Sequence, residues 1–159
     1  MTDEAARQAL KRAILLEVQS RLFYEQVASQ TKAPAVAELF RMLAEEEKKH
    51  AQALSSRTGP AAPERESVPD TLSSTILNAQ VRRQIGAASY EAAAISAALE
   101  LENRAVAVYS ERAESAADPQ EKELYRSLAQ WEMEHQRFLA RLNSELIEEI
   151  WNDKGFWPF

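Results

Sequence analysis

The sequence holds only two histidines, and each closes the same short motif, Glu47-Lys48-Lys49-His50 and Glu132-Met133-Glu134-His135. The two motifs are 85 positions apart, and Glu17 and Glu102 are separated by the same 85. Each Glu-x-x-His is thus preceded, 30 residues upstream, by a lone Glu. Carboxylates and imidazoles are ligands for hard or borderline divalent ions. Four carboxylates and two imidazoles are a ligand list for two such ions, and two divalent charges would balance the four negative ones. Glu46 also stands four residues before His50, but its counterpart at +85 is Trp131, so the repeat selects Glu47.

The repeat extends beyond the ligands. Tyr24 matches Tyr109, Pro34 matches Pro119, and Leu39, Leu43 and Leu54 match Leu124, Leu128 and Leu139. The chain is therefore two copies of one unit. Leu39, Leu43, Glu47, His50 and Leu54 share one helical face, as do Leu124, Leu128, Glu132, His135, Leu139, Leu142 and Leu146, because residues three or four apart lie on the same side of a helix. Leu10, Ile14, Glu17, Tyr24 and Ala28 form a third stripe, and Leu99, Glu102, Val106, Tyr109 and Ala113 a fourth. Each candidate ligand lies within an apolar stripe, on the face that a bundle helix buries. A lone carboxylate there usually pairs with an arginine, and a lone histidine is usually hydrogen-bonded. Neither account explains six residues recurring in register. Glu45, Glu46, Lys48 and Lys49 have unlike partners in the second copy, namely Gln130, Trp131, Met133 and Glu134, and read as ordinary variation of a helix face.

These stripes require long helices. The 159 residues suffice for one domain with a real core. Their scarcity of glycine and abundance of Ala, Leu, Glu and Arg favour helix. The pattern predicts helices over about 3–29, 34–57, 89–116 and 119–151. Pro34 is suited to a first helical position, and Asp118-Pro119-Gln120-Glu121 reads as cap, first residue and capping-box acid. Short links join the first and last pairs into antiparallel hairpins. The Gly- and Pro-containing segment at about 58–88 is long enough to cross the bundle, with a shorter helix at 71–85. The expected architecture is all-α: two antiparallel hairpins joined by a long crossover, spanning 1–151, with residues 152–159 as an aromatic tail. That tail, which follows Trp151, is expected to cover the bundle end or to contact a second subunit.

Composition narrows the function. A net charge of -6, with no basic patch, argues against nucleic acid as the main partner. With no cysteine, disulfides, thiolate zinc sites and iron–sulfur clusters have no ligands in this sequence. No signal-peptide pattern and no membrane-spanning run are visible, so a cytoplasmic protein is expected.

At the paired Glu and Glu-x-x-His residues, through all four helices, the chain resembles the ferritin-like di-iron superfamily, and within it the rubrerythrin-like proteins. The resemblance implies a ferritin-like bundle with two iron ions; the ligand types by themselves also admit manganese or zinc. It implies that Glu17 and Glu102 are terminal carboxylate ligands, Glu47 and Glu132 bridging carboxylates, and His50 and His135 terminal imidazoles. Tyr24 and Tyr109, two turns from Glu17 and Glu102, are expected to hydrogen-bond the ligand carboxylates. The implied reactants are hydrogen peroxide or dioxygen, in a role linked to oxidative stress, and the implied assembly is a homodimer. Two departures stand out. Rubrerythrins usually feed electrons from a four-cysteine rubredoxin domain, so here a separate electron donor is required. They also carry a further Glu one turn after the lone Glu of the third helix, where this chain has Ala105. The leading expectation is an oxidoreductase reacting with peroxide or oxygen. An iron-oxidising, iron-handling protein and a metal-stabilised structural bundle are the alternatives.

Overall fold

The computed structural model describes residues 3–56, 85 and 90–153. They form four helices: α1 (Asp3–Gln30), α2 (Pro34–Ser55), α3 (Tyr90–Ser115) and α4 (Pro119–Asp153). No strand occurs among the described residues. The fold is the expected ferritin-like four-helix bundle. The predicted boundaries hold to within one or two residues, the largest differences being that α2 stops two residues early, at Ser55, and α4 runs two residues past Trp151 to Asp153. The proposed helix at 71–85 (Ile85 aside), the tail from 154 onward and the side chain of Leu146 lie outside the described residues; Ile85 is buried and not helical.

Local chemistry sets the two turns. Ala33 is extended at φ -95 and ψ 108, and Pro34 then opens α2 with its ring already holding a helical φ. The Thr31 hydroxyl accepts from Ala33 N at 3.1 Å and donates to Glu91 Oε1 at 2.6 Å, tying the α1–α2 turn to the start of α3. Asp118 caps α4 as expected, its Oδ1 accepting from Gln120 N at 2.9 Å. The Glu121 carboxylate accepts from Arg112 Nε at 3.1 Å, which fastens the α3–α4 turn.

α1 packs on α2, α3 packs on α4, and α1 also meets α3. Tyr90 donates to Gln30 at 3.2 Å, so α3 begins where α1 ends. α2 runs back from that end, so Ser56 and Tyr90 lie at opposite ends of the bundle. α1 and α3 are therefore antiparallel.

The core is divided in two. One apolar cluster, nearer the α1–α2 turn, includes Tyr24, Val27, Leu39, Phe40, Leu43, Ile95 and Leu139. The other, nearer the α3–α4 turn, includes Leu16, Leu54, Tyr109, Tyr125, Leu128 and Trp131. In every helix the candidate ligands fall between residues of these two clusters. A polar layer is thus sealed by hydrocarbon above and below.

Candidate metal centre

All six expected ligands converge. Glu17, Glu47, Glu102, Glu132 and His135 are each 1% exposed, and His50 is 2% exposed. Their donor atoms form two groups: Glu17, Glu47, His50 and Glu132 in one, and Glu47, Glu102, Glu132 and His135 in the other, each within 4.8 Å. Glu47 and Glu132 belong to both groups, so the sets overlap at the Glu of each Glu-x-x-His motif.

The spacing suits metal ions. Oxygen and nitrogen ligands at about 2.1 Å from one ion lie roughly 3.0–3.4 Å from each other in octahedral or tetrahedral geometry. His50 Nδ1 is 3.5 Å from Glu17 Oε2, 3.2 Å from Glu47 Oε2 and 2.7 Å from Glu132 Oε1. His135 Nδ1 is 3.5 Å from Glu47 Oε1, from Glu102 Oε1 and from Glu132 Oε2. Several of these buried atoms have no hydrogen-bond partner among the described residues: one oxygen each of Glu17, Glu47, Glu102 and Glu132, and both nitrogens of His135. Buried polar atoms are ordinarily satisfied, and carboxylate oxygens and imidazole nitrogens gathered in this way are the donor set of a divalent cation. Two divalent ions fit the residues present.

The two tyrosines act across the bundle. Tyr24 of α1 donates to Glu102 Oε1 of α3 at 2.6 Å, and Tyr109 of α3 donates to Glu17 Oε1 of α1. The exchange reproduces the twofold relation of the sequence repeat. Burial and the neighbouring carboxylates push both phenols up, so they remain protonated donors.

The carboxyls of the cluster are shifted in opposite directions. Burial and the charges of Glu132, Glu17 and Glu102 hold Glu47 well above its ordinary range. Burial, Glu102 and Glu17 push Glu132 up to about 8. Burial also opposes ionisation of Glu102, but Glu132, His135 and Tyr24 outweigh it and bring Glu102 down to about 2. Glu17 is lowered in the same way by Glu47, His50 and Tyr109. Both imidazoles are raised: against burial, Glu132 leads for His50 and Glu102 for His135. The raised carboxyls and imidazoles retain protons that offset the charge of Glu17 and Glu102, the part that divalent ions would play.

Glu46 and Trp131 are not ordinary variation of an exposed face, because Glu46 is 8% exposed and Trp131 is 7% exposed. Glu46 pairs with Lys49 at 3.4 Å. Trp131 stacks on His50, with ring centroids 5.1 Å apart and planes 14° apart. Trp131 is the site residue that sequence reasoning passed over. Its position three residues after Leu128 and four before His135 was the available signal. Ala105, where the further Glu was sought, is 4% exposed and lies in the apolar cluster beside Tyr109.

No helix among the described residues is long and apolar enough to cross a membrane. The family model described as Rubrerythrin matches residues 8–143. No curated protein matches the chain, and no solved structure matches it.

Proposed function

The chain belongs to the rubrerythrin family, and on that premise we propose that it is a di-iron oxidoreductase that reacts with hydrogen peroxide or dioxygen, with peroxide preferred. The observation that carries this reading is the pair of overlapping, fully buried ligand sets sharing Glu47 and Glu132. Glu17, Glu47, His50 and Glu132 would hold one ion, and Glu47, Glu102, Glu132 and His135 the other. Two ferrous ions side by side supply two electrons together, the number needed to reduce hydrogen peroxide to water.

The protein's own part is positioning. Tyr24 and Tyr109 fix the Glu102 and Glu17 carboxylates through hydrogen bonds from the opposite helix. The apolar clusters on either side exclude bulk water and strengthen the electrostatics within the layer. With no cysteine in the 159 residues, electrons must come from a donor outside this sequence.

Ala105 favours a second reading. Its methyl group stands where family members usually carry a further carboxylate, and a site lacking that ligand suits iron oxidation and handling. Stopped-flow mixing of anaerobic, iron-loaded protein separates the two. The first reading expects faster oxidation by peroxide than by an equal concentration of dioxygen, with turnover only when a donor is added. Faster oxidation by dioxygen, followed by accumulation of many irons per chain, would establish the second.

A further inference from the structure

The six candidate ligands repeat faithfully, but the walls behind the two histidines do not. His50 is held on its face by Trp131, 5.1 Å away between centroids and within 14° of parallel. Its Nδ1, the atom that faces the other ligands, lies 2.7 Å from Glu132 Oε1 and 3.2 Å from Glu47 Oε2, contacts that a bound ion would replace. His135 has no such indole against it among the described residues. The ring stacked beside it there is that of His50, with centroids 5.6 Å apart, and its Nδ1 lies 3.5 Å from carboxylate oxygens of Glu47, Glu102 and Glu132. The residue related to Trp131 by the repeat is Glu46, whose carboxylate is engaged by Lys49.

We propose that Trp131 makes the two metal positions unequal, so that the Glu17–Glu47–His50–Glu132 set loads before the Glu47–Glu102–Glu132–His135 set. This rests on the di-metal reading above. An imidazole already held in one plane loses less freedom when it binds than one that must be ordered by the metal, a difference of up to about tenfold in affinity. Trp131 is suited to this role because it is a rigid, buried ring in the apolar cluster that also holds Leu16, Leu54 and Leu128. Its indole N–H has no partner among the described residues, so the flat face and not the donor does the positioning. Repulsion between two bound ions also separates the binding steps, but it cannot choose which half fills first. Trp131 can.

The test uses the position of the indole. The sequence has three tryptophans, and replacing two of them, Trp151→Phe and Trp157→Phe, leaves Trp131 as the sole emitter. Anaerobic titration with ferrous iron, and separately with cobalt(II), should quench its fluorescence mostly over the first equivalent. In calorimetric titrations with cobalt(II), His50→Ala should weaken the first binding step more than His135→Ala does. That difference should vanish in the Trp131→Leu background and survive in Trp131→Phe, which keeps a stacking ring. Quenching spread evenly over both equivalents, or a difference that persists in Trp131→Leu, would overturn the proposal. Two ions bound without order sink this inference alone. Failure to bind two ions at all sinks the di-metal reading with it.

Discussion

Tyr24 on α1 and Glu102 on α3 are joined by a 2.6 Å hydrogen bond across 78 positions of sequence. Tyr109 and Glu17 repeat the contact in the opposite direction. Each outer carboxylate is therefore oriented by the other hairpin, so assembling the centre requires both halves of the bundle. Removing either hydroxyl leaves a buried carboxylate oxygen without its donor and free to turn. Tyr24→Phe and Tyr109→Phe should each weaken metal binding by about 10–100-fold, the usual cost of losing a residue that orients a ligand. Cobalt(II) affinities by competition titration check this. Affinities within twofold of the parent would reduce both tyrosines to core packing.

The overlap of the two sets makes the ligands unequal in consequence. Glu132 belongs to both groups and Glu17 to one. Elemental analysis after iron reconstitution should give two ions per chain for the parent and about one for Glu17→Ala. Glu132→Ala should fall furthest. Glu134, two positions on and half-buried on another face, should tolerate alanine with little loss. Equal losses for Glu132→Ala and Glu134→Ala would mean that the wrong acid has been placed in the centre.

The centre was legible in the sequence because its signal is doubled. A single Glu-x-x-His on a helix is weak evidence, but a second copy in register selects the inward face, and the fold brings Glu47, not Glu46, into the cluster. The hairpins followed from helix period and short links, and Asp118 and Pro119 marked the start of α4 correctly. Trp131 was not legible for a physical reason. Each residue turns the helix by about 100°, so a neighbour of a ligand sits at the border of the stripe. Whether a border residue is buried depends on which helix packs beside it, and His50 of α2 is brought there only by the tertiary fold. Glu46 was misjudged in the same way: its charge suggested solvent, while packing covers it and Lys49 neutralises it.

Metal-free protein should lose stability as pH rises. Folding raises Glu47 and Glu132 above the ordinary 4.5, Glu132 to about 8, and raises both histidines above the ordinary 6.5. The folded state then holds protons that the unfolded chain releases, so stability falls with pH from about 4.5 through about 8. Glu17 and Glu102 act in the opposite sense, contributing stability above 4.5 that is lost as pH falls towards 2. The apo-protein should therefore melt highest in mild acid and lower at pH 8. Metal displaces protons held by Glu47, Glu132, His50 and His135, so loading two ions at neutral pH should release protons. The stabilisation by metal should accordingly widen as pH rises. Calorimetric melting with and without iron, and titration in buffers of different ionisation enthalpy, measure both effects. An apo-protein that melts higher at pH 8 than in mild acid would contradict the protonated cluster.

Ala105 offers the sharpest test of the reaction itself. It is buried one turn after Glu102, among Leu16, Tyr109 and Leu128. An Ala105→Glu substitution puts a carboxyl into that apolar layer. Without metal it has no cation to satisfy it, so the apo variant should be less stable than the parent. With iron it can reach the centre as a further oxygen ligand, and much of that loss should be recovered. If the absence of this carboxylate limits the peroxide reaction, the iron-loaded variant should be oxidised by peroxide faster than the parent, with its dioxygen rate changed less. Melting curves of apo and loaded protein report whether the new side chain is accommodated, and stopped-flow absorbance reports the rates. A variant that binds two irons, regains its stability on loading and still reacts with peroxide at the parent rate would show that the missing carboxylate is not what limits this site. The iron-handling reading would then have to rest on dioxygen kinetics and iron accumulation, without support from Ala105.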